Sequence, residues 1–232
     1  MKAVIFDCDG TLVDSEGLWH EVLVAAIAEH GLILSVAEAN QAFRGGNMAD
    51  CMADIEARLG RPLPADFVPV LRTRTADVFR TRLRPIEGAV ELLQSLSRSS
   101  RPVCVASSGP REKIELSLSL TGLWPFFEGR VFSSYDVGVW KPDPGLFLHA
   151  AQAMGVAAED CAVVEDSLPG IRAGLAAGMT VFAFQPHDVD PRVPSEVTIL
   201  KNLLELRGLL GFSAAEPAVA AEDAHRFLEP RR

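Results

Sequence analysis

From about residue 85 to residue 184 the chain alternates short apolar, β-branched runs with longer stretches of helical spacing. The runs are 102–106, 131–133, 161–164 and 180–184, and a fifth, 3–6, opens the chain. Each is too short for a stable helix and apolar throughout, as in a strand buried on both faces. Strands separated by helices leave few choices of topology: right-handed βαβ units and a parallel sheet with helices on both sides. The expected fold class is therefore α/β, with a Rossmann-like parallel sheet core. Hydrophobic residues make up 48% of the 232, enough for a sizeable core.

Residues 16–82 break that rhythm. Segments 16–30, 36–43, 48–59 and 66–82 all have helical spacing, without a strand-like run between them. Breakers at Gly31, at Gly45–Gly46 and over 60–64 separate them. An all-helical block placed directly after the first strand reads as an inserted lid, with hinges near 14–17 and 82–87. The predicted organisation is an α/β core of 1–15 and 84–212 around a helical cap domain of 16–83. The Ala- and Glu-rich stretch 213–232 reads as a disordered tail or a loosely docked helix without a role in chemistry.

Four motifs sit at the carboxyl ends of predicted strands. In Asp7-Cys8-Asp9-Gly10-Thr11, residues two apart in an extended chain point the same way, so both carboxylates face one site. Two close carboxylates repel, and a divalent cation or a shared proton relieves them. The alternative is a solvated Asp-Gly turn. In the second motif a strand runs into Ser107-Ser108-Gly109-Pro110. Ser107, with Ser108, Gly109 and the free amides of the following helix, could hold a phosphoryl oxygen; an ordinary helix cap by Ser108 also fits. In the third, Lys141 precedes Pro142 and so lies in an extended stretch, where it could neutralise charge on a transferred group or simply face solvent. Asp143 reads as a cap for the next helix. The fourth, Glu165-Asp166, offers the hard oxygen ligands that suit Mg²⁺, with Asp166 the better placed of the two; capping of the next helix is the competing reading. Gly170, Gly174 and Gly178, spaced by four, read as close packing of one helical face on the sheet. All four motifs share the edge at which open α/β sheets bind ligands.

The net charge of −9 argues against nucleic-acid and anionic-membrane partners, which require a basic face. The four cysteines, Cys8, Cys51, Cys104 and Cys161, form no Cys-x-x-Cys pair and read as buried thiols of a reducing compartment. Together with the lack of a signal-like or membrane-spanning apolar stretch, this suggests a cytoplasmic protein, monomeric or a weak homo-oligomer.

In order and spacing these motifs resemble the haloacid dehalogenase superfamily, with a helical cap inserted after the first motif. The likeness spans about residues 1–210. It implies that Asp7 is a nucleophile forming an aspartyl phosphate and that Asp9 is the general acid and base. It implies that Ser107 and Lys141 grip the phosphoryl oxygens. It also implies Mg²⁺ held by Asp7, the Asp9 carbonyl and Asp166, with Glu165 nearby. The dehalogenases proper lack the second aspartate, so Asp9 points to phosphate chemistry. Within the superfamily, IEGAVELL, FSSYDVGVWKPDPGLFLHAAQAMGV and VVEDSLPGIRAG are similar to sugar-phosphate phosphatases of the 6-phosphogluconate phosphatase type. The runner-up is the β-phosphoglucomutase type. That type has a cap histidine where this chain has Trp19, with His20 one step off, and a cap arginine where this chain has Met48; both departures favour hydrolysis. A non-catalytic binding module on the same scaffold is the third reading. The expected ligand is a small phosphorylated metabolite, selected by the cap loop Arg44-Gly45-Gly46-Asn47 and by Arg111. A surface charge at a helix start is the alternative for Arg111.

Overall fold

The computed structural model describes residues 1–99 and 101–211, so the stretch expected to form a tail, 213–232, lies outside it. The chain opens with β1 (Ala3–Phe6) and then forms α1 (Glu16–Ala28), α2 (Val36–Phe43), α3 (Met48–Leu59) and α4 (Phe67–Arg82). There follow α5 (Ala89–Ser97), β2 (Val103–Ser107), α6 (Arg111–Leu120), α7 (Trp124–Phe127) and β3 (Val131–Ser133). Next come α8 (Ser134–Val137), α9 (Gly145–Ala153), β4 (Cys161–Glu165) and α10 (Leu168–Ala176). The described chain closes with β5 (Thr180–Phe184), β6 (Thr198–Leu200) and α11 (Glu205–Leu209).

All six strands are parallel, in the order β3-β2-β1-β4-β5-β6. Alternate residues of each strand feed separate apolar layers. Val4, Phe6, Val105 and Val164 pack with Leu92 of α5, Ile114 and Leu118 of α6 and Phe127 of α7. Ala3, Ile5, Cys104 and Val163 pack with Phe147 of α9 and Ile171 of α10 on the opposite face. Fully burying side chains of this size contributes about 1.5–3 kcal/mol each, so the two layers hold the strand ends firmly in register. All four cysteines are buried and free.

The expected Rossmann-like core is present, with additions. β6 was not anticipated: three residues after a proline-rich loop give too short an apolar run to register as a strand. The turns of α7, α8 and α11 are likewise too brief for a periodicity. α1 stops at Ala28, two residues short of the expected end. Gly170 and Gly174 lie in α10 as expected, but Gly178 falls beyond the helix end, where an added methyl group would meet nothing within 4 Å, so the spacing of four ended one step early.

Helices α1–α4 form the insertion, with an apolar core of their own around Leu23, Ile27, Phe43, Ile55, Phe67 and Leu71. Ser35 caps α2 through a reciprocal pair with Glu38, and the Asn47 side chain accepts the Asp50 amide at the start of α3. The two connectors to the core run side by side: the Asp14 amide donates to the Arg84 carbonyl at 3.0 Å and the Ile86 amide to the Leu12 carbonyl at 2.9 Å. Among the described residues no helix is long and apolar enough to cross a membrane.

Candidate active site

β1 lies between β2 and β4, so the motifs at their carboxyl ends converge. Asp7 and Asp9 both line one cavity of roughly 330 Å³, while Cys8 between them packs into the core beside Leu12 and Val13. Gly10 follows at φ +78°, and a methyl group there would come within 2.5 Å of the Asp166 carboxylate; only glycine permits this turn. Thr11 then reaches across and donates its hydroxyl to Asp166 Oδ1 at 3.1 Å.

Ser107 is the last residue of β2. Its hydroxyl accepts the Gly109 amide at 3.2 Å, and the Gly109 carbonyl accepts the Ser133 hydroxyl at 2.6 Å, which fixes the turn. Ser107, Ser108 and Gly109 all line the cavity. Lys141 arrives from the loop before α9 and sets its ammonium 2.5 Å from Asp7 Oδ1 and 3.2 Å from Glu165 Oε1. Burial alone would lower the Lys141 pKa, but the charges of Asp7 and Glu165 outweigh it and keep the lysine charged. Asp143 accepts the Gly145 amide at 2.8 Å, one residue ahead of Pro144, which takes the N-cap position of α9.

β4 runs to Glu165, so Glu165 and Asp166 leave the strand end together. Neighbouring residues point apart, yet both reach the site, because the longer Glu165 side chain bends back. The Ser167 hydroxyl holds it at 3.0 Å, and any side chain at Gly170 would overlap its carboxylate. One carboxylate oxygen each from Asp7, Glu165 and Asp166 lies within 4.8 Å of the others, all in buried residues. Burial pushes all three carboxyls above the ordinary range, Asp7 well above it, with Lys141 opposing at each. A compact, all-oxygen, mutually repelling donor set of this kind fits a hard divalent cation.

Asp9 is different. Burial would raise it too, but the Lys113 ammonium and the Ser15 hydroxyl, each 2.7 Å from Oδ1, hold it below the usual carboxylate range. Neither Lys113 nor Ser15 was singled out from the sequence. The available signal was weak: a lysine in the first turn of α6, where a cation opposes the helix dipole.

The insertion roofs the cavity with Trp19, Phe43, Met48, Leu71 and Phe79, and Gly45, Gly46 and Asn47 of its loop also line it. The two arginines expected to meet the ligand are elsewhere. Arg44 sets its guanidinium 2.8 Å from Asp166 Oδ2 and is not part of the cavity wall. Arg111 is drawn outward by Asp136 at 2.7 Å and Glu115 at 3.8 Å, outside the cavity. Glu16, half-buried in the cavity wall, and the buried His20 lie together on the first turns of α1. Glu16 Oε2 lies 3.9 Å from His20 Nδ1, and burial lifts the glutamate to about 8 and drops the histidine to about 4.

A doubly wound parallel sheet with acids, a serine and a lysine at its strand ends, and a helical insertion over them, defines the haloacid dehalogenase-like hydrolases. The chain belongs to that family, whose model matches residues 1–178. It is 38% identical over 209 residues to 6-phosphogluconate phosphatase of Escherichia coli (strain K12), covering 89% of this chain and 93% of that one. Hexitol phosphatase A of the same organism is 31% identical over 208 residues, 88% of this chain and 92% of the relative. A crystal structure of a family hydrolase from Deinococcus radiodurans R1, with bound phosphate and sodium, superposes with a TM-score of 0.71 at 33% identity, covering 90% and 95% of the two chains. The protein is thus an enzyme of phosphatase type.

Proposed function

We propose that the enzyme is a Mg²⁺-dependent phosphatase that hydrolyses a small sugar or sugar-acid monophosphate through an aspartyl phosphate on Asp7. The observation that carries this reading is the meeting of Asp7, Asp9, Ser107, Lys141 and the acidic cluster on one cavity floor. Asp7 attacks phosphorus and Asp9 protonates the departing alcohol. Asp9 then takes a proton from the water that cleaves the aspartyl phosphate. Ser107 and Lys141 bind the phosphoryl oxygens, with Ser108 and Gly109 of the same turn beside them. Asp7, Glu165, Asp166 and the Asp9 carbonyl would hold Mg²⁺, which when bound offsets the charge of the phosphoryl group. The helical insertion acts as a cap that excludes bulk water.

The relatives' names point to sugar-type monophosphates, and a cavity of roughly 330 Å³ suits a small metabolite. Gly45, Gly46 and Asn47 of the cap loop contact that ligand from above. Arg44 steadies their loop on Asp166, and Arg111 has no part. Trp19 and Met48 line the cavity where a mutase of this family would carry histidine and arginine. Neither supplies a cation for a second phosphate, so water completes the reaction.

Phosphate release from a panel of sugar, polyol and sugar-acid phosphates, with Mg²⁺ and with chelator, tests the proposal. Turnover of at least one such ester is expected, with a loss of roughly 10⁴-fold or more in Asp7→Asn. No turnover across the panel, or an undiminished Asp7→Asn enzyme, sinks it.

A further inference from the structure

The two oxygens of Asp9 have different surroundings. Oδ1 receives two donors, the Ser15 hydroxyl and the Lys113 ammonium, each at 2.7 Å. Oδ2 faces the phosphate-side turn: a methyl group on Gly109 would sit 3.7 Å from it and 3.6 Å from Ser107 Oγ. A carboxylic acid donates from one oxygen only. An oxygen already accepting two hydrogen bonds, one from a cation, is a poor seat for that proton.

Lys113 is built into this place. It lies in the first turn of α6, directly after the Ser107 turn, where the helix dipole disfavours a cation. Its ammonium stands 5.8 Å from the ring centre of the buried Phe79 on α4, and its Cδ lies along Gly109. The side chain thus spans core turn, insertion and Asp9, and its charge is directed at a single carboxylate oxygen.

We propose that Lys113 is a positioning residue for proton transfer: by holding Oδ1 of Asp9 it reserves Oδ2 for the leaving-group oxygen. The inference rests on the phosphatase reading above. As Asp7 forms its bond to phosphorus, the phosphorus–alkoxy bond breaks and the alkoxy oxygen keeps the electron pair and takes the proton from Oδ2. In the second half, water bonds to phosphorus, Oδ2 receives its proton, and the bond from phosphorus to Asp7 breaks.

A positioned acid matters most for a poor leaving group. The test is kcat/KM, which reports aspartyl-phosphate formation, for a sugar phosphate and for p-nitrophenyl phosphate, whose leaving group departs with little help. Lys113→Met is expected to lose about 10²-fold on the sugar phosphate and less than about 3-fold on the aryl ester. Lys113→Arg, which keeps a donor, is expected to recover most of the loss. Lys113→Leu, which also lacks a donor, repeats the measurement should the methionine variant fold poorly. Parallel losses on both esters, or no loss on either, overturn the inference while leaving the phosphatase reading intact. A wild-type enzyme that hydrolyses neither ester overturns both.

Discussion

The floor of the cavity is made of strand ends, and its roof of a helical insertion with an apolar core of its own. On the floor the charged side chains are tied to other side chains, Lys141 to Asp7 and Glu165, Thr11 to Asp166, Ser167 to Glu165. The roof presents mainly apolar surface, and its ties to the core include Arg44 to Asp166, Arg72 to the Tyr135 hydroxyl at 3.0 Å, and Phe79, which lies by the Lys113 ammonium and joins Leu83 in the apolar layer of the sheet. A floor of that kind is preorganised for charge, whereas the roof supplies mainly shape and apolar surface. Chemistry should therefore depend on the first, and ligand access and docking on the second.

Metal removal puts the floor to its hardest test. Chelation is expected to cut turnover by roughly 10³-fold or more, with Mg²⁺ restoring it; full activity after exhaustive chelation would deny the acidic cluster its purpose. Ser107→Ala should lower kcat by about 10²-fold, the cost of one donor to a phosphoryl oxygen, with the fold unchanged by circular dichroism.

Roof variants should behave otherwise. Arg44→Gln leaves the buried Asp166 carboxylate without its counter-charge, so without metal a Tm lower by about 2–4 °C is expected. Saturating Mg²⁺ should narrow that gap, and kcat should change less than in Ser107→Ala. A kcat loss equal to that of Ser107→Ala would erase the distinction between floor and roof. Glu16→Gln gives the smallest effect, one that depends on pH. The folded pKa of Glu16 is raised from 4.5 to about 8, so the folded state holds the proton more tightly than the unfolded one. Wild-type stability contributed by this group is present below 4.5 and lost as pH climbs toward 8, and the amide has no such loss. The Tm of the variant minus that of wild type should grow by a few degrees between pH 5 and 8. A flat difference would show Glu16 charged and solvated.

The same division explains what could be read from the chain alone. Asp7, Ser107 and Asp166 end or follow strands whose apolar runs are plain in the sequence, and parallel strands deliver their carboxyl ends to one edge. Nothing further was needed to bring them together. Arg44 and Arg111 sit at helix boundaries as expected, but where an arginine turns depends on which carboxylate lies within reach. Asp166 and Asp136 are 122 and 25 residues away in the chain. Lys113 was passed over for the same reason: its partner Asp9 is 104 residues distant, and no local pattern announces the pair. β6 escaped because three residues carry too little periodicity.

The paired connectors bear on how such a molecule is assembled over evolutionary time. Val13 bridges to Pro85, so the chain leaves the sheet and returns to it at one doorway, with some seventy residues looped out between. Whatever occupies that loop is excused from the topology of the sheet, since excising it leaves two ends already in register. A shortened version joined across the doorway should still form the six-stranded sheet. A different module grafted there would inherit the same acids, serine and lysine beneath it. The doorway thus lets the looped-out residues vary in length without moving the strand ends that carry the acids, serine and lysine.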